Sequence, residues 1–430
     1  MIKKKPLQLN GDFKYVLDEL EKTQKSLFIT GRAGTGKSTL LQLFRNVTRK
    51  KVVVLAPTGV AALNVQGQTI HSFFKFPAKP LHRNEIKRLR RRSIYERLEV
   101  LIIDEVSMVR ADLMDNIDYF LRKNRGNPMP FGGVQMVFFG DLFQLPPVVA
   151  SEQERMLFHA GTYTNPYFFA AHVFEELTLE MIELRKIYRQ DNRHFIRLLE
   201  AVRLNTMDYD DINDLNERYL PNFVATDYFI TLSARNLTAN RINNQSLSAL
   251  ETSAITYLAK VEGNFDARLY PTDLVLSLKV GAQVMFIKND PDKNFVNGTI
   301  GKIIALSEEK ISVQTEENGM PKLIEVPRLE WEILKYKIND EDETKIDTEV
   351  IGRFTQYPLK LAWAITIHKS QGKTFEKVII DLGKGAFEHG QTYVALSRCT
   401  SLEGIVLKKK LHPRDIVVDE QVIDFYERHF

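Results

Sequence analysis

The sequence predicts a multi-domain α/β protein with a β-rich insertion, on three observations. Its 430 residues exceed what one hydrophobic core holds, at roughly 100–200 residues per domain. Apolar runs of strand length alternate with helical stretches through the first part of the chain, the pattern of a parallel sheet. From about Thr256 this alternation gives way to short β-rich pieces separated by Asn-Gly and Gly, as in the hairpins of a small barrel. Composition agrees with an ordinary globular protein, at 44% hydrophobic and 27% charged residues. With one cysteine, Cys399, and no CxxC or HExxH spacing, a disulfide scaffold or structural zinc site is excluded and a reducing compartment is predicted. No apolar run approaches the roughly 20 residues of a membrane span. The basic start, MIKKKPLQLN, has no apolar stretch behind it, so no secretory signal is predicted.

The predicted strands are 26–30 (SLFIT), 51–57 (KVVVLAP), 99–105 (EVLIIDE) and 134–141 (VQMVFFGD), each ending in a polar or glycine-bearing loop. In open parallel sheets ligands bind at such carboxyl ends. Helices are predicted around 183–204 and 209–218, a further strand at 228–236, and a helix from about Leu237. The β-rich pieces are 274–289, 297–316 and 321–338. A strand at 377–383 and a helix near 390–398 return the chain to α/β. Net charge is only +4, but residues 82–92 hold six Lys/Arg against one Glu, and 340–349 is acidic. Either run alone reads as a solvated surface. The basic one becomes a nucleic-acid candidate only beside a partner motif.

Chemistry concentrates at the strand ends. GRAGTGKS (31–38) fits G-x-x-x-x-G-K-[ST] between a strand and a helix-forming run, the context a phosphate-binding loop requires. Gly31, Gly34 and Gly36 allow backbone N–H groups to turn toward phosphates; Ala33, Thr35 and Thr39 complete the loop. Lys37 is expected to reach the β- and γ-phosphates, and Ser38 to hold Mg²⁺. VLIIDE (100–105) ends a buried strand in two acids. Asp104 suits Mg²⁺, and Glu105 suits orienting or deprotonating water, which favours NTP hydrolysis over transfer to a second substrate. FFGDLFQLPPV (138–148) adds Gln144, placed to sense the γ-phosphate or position water; a stiff structural turn is the alternative. TIHSFF (69–74) and TIHKSQGKTF (366–375) offer hydroxyls and histidines for phosphates and rings for bases. Thr69, His71, Thr366, His368 and Lys369 are the candidate strand contacts. Phe73 and Phe74 continue an apolar run and are expected in the core.

The order GRAGTGKST, APTGVAALNVQGQTIHSFF (56–74), DEVSMV (104–109), GDLFQLPPV (140–148), LRKIYRQ (184–190), AITIHKSQGKTF (364–375) and YVALSRCTSLEG (393–404) resembles the PIF DNA helicases of superfamily 1B, and EVSMVRADLMDNIDYFLRKNR (105–125) resembles their signature segment. The likeness runs from about residue 9 to 408. It implies two RecA-like domains, the first over 1–178 with a small inserted segment near 63–98, the second over 179–255 and 351–430, and an SH3-like β insertion over 256–350. It implies an ATP- and Mg²⁺-dependent 5′-to-3′ helicase on single-stranded, forked or structured DNA (G-quadruplex and RNA–DNA hybrid included). Roles in replication, repair and telomere maintenance go with it. The resemblance also implies mostly monomeric protein with DNA-induced dimers, and a cytoplasmic, nucleoid-associated place if the source is bacterial. Family alignment aims Arg189 and Arg398, read as helical, at the γ-phosphate, adds Pro57 and Thr58 to the strand contacts, and gives Asn10 to the base. The family's Leu-Asn-x-x-Gln segment departs here, with Phe13 in place of glutamine, which predicts looser base selection. Two other readings share these motifs: a translocase that clears proteins or folded DNA, and a P-loop switch that senses ATP for a protein partner.

Overall fold

The computed structural model describes residues 10–77, 79–159, 161–317, 319–342 and 345–430. Leu9 lies outside them. Six parallel strands form the first sheet, in the spatial order Gln68–Thr69, Val52–Ala56, Val100–Ile103, Gln135–Phe139, Ser26–Gly31 and Leu179–Leu184. The central strands are buried along almost their whole length, which is why they read as unbroken apolar runs rather than alternating ones.

The sixth strand corrects two expectations. Residues 179–184 pair one for one with Ser26–Gly31, so the first sheet runs past the expected boundary at 178. The helix expected over 183–204 starts only at Arg193, where Asn192 caps it by accepting the Phe195 N–H at 3.0 Å. The segment 63–98 packs onto the first domain. Its strand Gln68–Thr69 joins the sheet, and Phe73, Phe74, Tyr95 and Leu98 belong to the main core, packed on Phe120 of the helix Ala111–Arg125.

The second sheet has four parallel strands, ordered Ala364–Thr366, Ile230–Ser233, Val378–Asp381 and Ile405–Leu407. Between its first two strands in sequence, the β insertion extends over 255–361, wider than the expected 256–350 at its far end. Five antiparallel strands (Met320–Glu325, Ile311–Glu317, Ile300–Leu306, Gln283–Phe286, Leu359–Leu361) and the pair Ile255–Leu258 with Val275–Leu278 surround one apolar cluster that includes Tyr257, Val284, Phe286 and Val313. Apart from them stands a long hairpin, Leu329–Ile338 with Ile346–Gln356, edged by Lys260–Gly263. Of the acidic run at 340–349, residues 346–349 lie on this hairpin's return strand. The hairpin leans on the first domain: the Tyr336 hydroxyl accepts the Val54 N–H at 3.0 Å, and its ring meets Phe73 edge-on.

The helix Glu420–His429 also returns to the first domain. Phe425 stacks on Phe169 at 4.2 Å and meets Phe28 of the central strand, while the Tyr426 hydroxyl donates to Glu183 at 2.9 Å. Among the described residues, no helix is long and apolar enough to cross a membrane.

Phe73 and Phe74 are 4% and 1% exposed, so the core reading of both holds. Replacing Phe74 by alanine is expected to cost about 3–5 kcal/mol of stability. Chemical unfolding checks this, beside a single-strand binding titration of the folded variant, in which affinity is expected to stay at the parental level.

Candidate nucleotide cleft and strand-binding surface

The phosphate loop leaves the central strand at Gly31 and enters the helix Lys37–Val47. Gly34 and Gly36 have φ of +84° and +87°, a region open to glycine. Space demands glycine as well, since a Cβ on Gly34 would lie 2.5 Å from the Arg189 Cβ. The Lys37 ammonium donates to the Gly31 and Arg32 carbonyls at 2.6 and 3.2 Å. Burial holds its pKa below the usual lysine range, against the pull of Asp141 and Glu105. Thr35 is buried and donates its hydroxyl to the Arg32 carbonyl at 2.9 Å, so it shapes the loop; Ser38 and Thr39 are exposed at its mouth. Asn10 caps the helix Gly11–Lys22 by accepting the Phe13 N–H at 2.8 Å. Phe13 itself is buried under Gly36 and meets Tyr188 edge-on, so no polar group stands at the glutamine's place.

Asp104 and Glu105 follow the strand Val100–Ile103. Glu105 has φ +50° and ψ +44°, a left-handed conformation that costs a non-glycine residue free energy and turns the chain sharply off the strand. Burial raises both carboxyls; the Asp104 charge raises Glu105 further, while the Glu105 N–H and Lys37 draw Asp104 back down. Gln144 donates its amide to Asp141 at 3.0 Å. Gln371 then bridges the two loops, its amide 3.4 Å from the Gln144 carbonyl oxygen and 3.5 Å from Glu105.

Neither arginine is helical. Arg189 lies in the loop after Leu179–Leu184, and Arg398 in the turn after the helix Gln391–Leu396. Arg189 donates to the Ser397 carbonyl at 3.0 Å, which sets the two guanidiniums side by side. Burial, then Arg189, pushes Arg398 down to about 9, so it stays charged at neutral pH. All six expected catalytic residues, Lys37, Asp104, Glu105, Gln144, Arg189 and Arg398, line one cleft of about 530 Å³ with Ala33–Thr39. Oxygen donors Ser38 and Asp104 share that wall, a donor set suited to Mg²⁺.

The expected strand contacts follow the carboxyl ends of strands at or next to a sheet edge. Thr58, Thr69 and Thr366 each cap a short helix, accepting the N–H of Ala61, Ser72 and Lys369. Capping uses a hydroxyl's lone pair and leaves its O–H free to donate. Pro57 and Thr58 follow the strand Val52–Ala56, whose neighbour ends at Thr69, while Thr366 ends the edge strand of the second sheet. His71 is half-buried, and burial with Arg110 lowers its pKa. His368 pairs with Glu388 at 2.8 Å, and Lys369 is exposed. Lys373, not singled out from sequence, donates to Asn297 of the insertion at 2.7 Å, with its pKa lowered to about 8 by burial.

Sequence reasoning also passed over Gln371 and Tyr393, although both stand in motifs it quoted. The Tyr393 hydroxyl accepts the Ala33 N–H at 3.0 Å across the domain boundary.

Known proteins agree with this arrangement. The family model described as PIF1-like helicase matches residues 8–212, and that of the DNA helicase Pif1 2B domain matches 267–306. The ATP-dependent DNA helicase Pif1 of Campylobacter jejuni is 31% identical over 96% of this chain and 97% of its own. The ATP-dependent DNA helicase PIF1 of Emericella nidulans is 33% identical over 96% of this chain, which spans 62% of that relative's length. Unliganded Pif1 from Bacteroides sp and its ADP–AlF4 complex, both 37% identical over 98% of this chain and 97% of theirs, superpose with TM-scores of 0.89 and 0.90. The single-strand-bound form, at the same identity over 98% and 96%, gives 0.69. With two parallel-sheet domains closing over a phosphate loop and a β insertion in the second, this chain belongs to the PIF1-like family of ATP-dependent DNA helicases.

Proposed function

We propose that the chain hydrolyses ATP in the cleft described above and uses the cycle to move 5′-to-3′ along single-stranded DNA, parting duplex ahead of it. The observation that carries this reading is the meeting, in one cleft, of the phosphate loop and acid pair with two arginines from beyond the first sheet. Arg398 can bear on a phosphate held by Lys37 only while the two domains are closed. Delocalised charge from Arg189 and Arg398 would offset what develops on the γ-phosphate in the transition state. Glu105, held protonatable near neutrality, would take the proton of the attacking water, and Gln144 would orient that water. When bound, Mg²⁺ would neutralise the β- and γ-phosphates, and Ser38 and Asp104 are the residues that would hold it.

Support for the DNA track comes from Thr58, Thr69 and Thr366 with His71, His368 and Lys369, which offer O–H and N–H donors just past strands at or next to a sheet edge in both domains. A solved structure 37% identical over 98% of this chain is described as DNA unwinding at forked double-stranded DNA by two coordinating Pif1 helicases. The same pairing is proposed here, on fork DNA, of a chain that otherwise acts as a monomer in the cytoplasm. Of the rival readings, a partner-sensing switch has no use for paired arginines, and DNA-stimulated ATP turnover separates it from a helicase. Phe13 in place of a polar base reader supports loose choice of base.

A 5′-tailed duplex is expected to be unwound with ATP while 3′-tailed and blunt duplexes are not; preference for a 3′ tail would reverse the polarity. Arg398→Ala and Arg189→Ala are expected to keep most ATP binding, which the phosphate loop dominates. Both should lose DNA-stimulated turnover on the order of 10³–10⁵-fold, measured by steady-state ATPase beside a nucleotide titration. Turnover needs Glu105 deprotonated. Its raised pKa of about 7 therefore predicts low activity under acid conditions and a rise through about pH 7. The rate–pH profile checks this, and Glu105→Gln should abolish the titrating limb with most of the rate.

A further inference from the structure

The helix Arg193–Leu204 carries a charged group that the hydrolysis chemistry above does not use. The Arg203 side chain is wholly enclosed, with 0% exposure. Its guanidinium lies between two rings, 4.2 Å from the centre of Phe143 and 4.9 Å from that of Tyr426. Around its edge stand three carboxylates: Asp141 at 3.5 Å, Glu200 at 3.6 Å and Glu183 at 3.8 Å. Burial works against this charge, but the carboxylates, Asp141 foremost, more than offset it and hold the guanidinium above its ordinary pKa.

Two of those acids lead to the cleft. Asp141 uses one oxygen for the Phe143 N–H at 3.2 Å and the other for the Gln144 amide at 3.0 Å. Glu200 puts its second oxygen 2.7 Å from the Nε of Arg32, in the phosphate loop. A single helix thus presents an acid and a base, one turn apart, to both loops that face the γ-phosphate end. The backbones approach closely here too: a Cβ on Gly390 would come within 2.4 Å of the Phe143 and Gln144 carbonyl oxygens, so only glycine lets the two loops meet at this spacing. A flat guanidinium is the group that can lie between two rings and keep its charge facing carboxylates at its rim, here as ion pairs at 3.5–3.8 Å in which none of its nitrogens makes a hydrogen bond.

We propose that Arg203 is a positioning residue for ATP hydrolysis: it fixes Asp141, Asp141 fixes the Gln144 amide, and Glu200 steadies the phosphate loop through Arg32. The inference rests on the reading of Gln144 given under Proposed function. It differs from a merely structural role in acting through one named side chain, and that difference is measurable.

The experiment is a double-mutant cycle on the full chain with Arg203→Lys, Gln144→Ala and the two combined. DNA-stimulated kcat and the KM for ATP are measured beside thermal unfolding. Arg203→Lys is expected to lower kcat about tenfold with KM within about threefold of the parent, an effect made in the transition state rather than on binding. Gln144→Ala should lower kcat by at least as much, and the double variant should be no slower than Gln144→Ala within about twofold, because one lost position cannot be lost twice. Losses that multiply, or full kcat in Arg203→Lys, would overturn the proposal and leave the Gln144 reading standing. Full turnover in Gln144→Ala would instead remove that reading, and the relay with it. Should Arg203→Lys not fold, Asp141→Asn, which keeps the side chain's size and drops its charge, enters the same cycle with the same two outcomes.

Discussion

Everything in this fold turns on the seam where the two parallel sheets meet. Lys37, Arg189, Arg398 and Arg203 are brought together there, answered by Asp104, Glu105, Asp141, Glu183 and Glu200. Charges this poorly solvated repel or attract strongly, and removing one partner strands the other in a medium that cannot screen it. Neutral contacts hold the seam in register. Tyr393 takes the Ala33 N–H, and Gln190 donates to the Ser397 and Cys399 carbonyls at 3.2 and 2.8 Å. Because these bonds run between backbone groups of one domain and side chains of the other, the cleft's shape and the closure of the domains are the same variable.

The phosphate loop and the acid pair were legible in sequence because their chemistry is contiguous. A strand, a glycine-rich turn and a helix fix where Lys37 must point, and two acids after VLII have no packing reason to be there. Arg189 and Arg398 came only from resemblance, since nothing local marks one arginine among many. Gln371, Tyr393 and Arg203 were passed over for the same reason: each acquires its meaning from a partner far away in the chain. Element errors had local causes. The helix was expected from residue 183, but the open edge of Ser26–Gly31 offered residues 179–184 a full ladder of backbone hydrogen bonds, and pairing prevailed.

On the proposed DNA track, the capping threonines would let one residue type serve folding and function together. At Thr58, Thr69 and Thr366 the oxygen's lone pair starts a helix, which holds the side chain in a single orientation. A donor held still by its own cap loses less entropy when a phosphate arrives. Valine, similar in shape, would remove both roles at once.

The last helix, Glu420–His429, covers an aromatic face of the first sheet with Phe425 and Tyr426. During synthesis this helix leaves the ribosome after both sheets and the whole β insertion. At about 5–20 residues per second the first domain must therefore wait tens of seconds with Phe169 and its neighbours uncovered. The chain's assembly order thus puts the burden of solubility on the nascent first domain, and makes a bulky or charged change in this helix a hazard to yield before it is a hazard to activity.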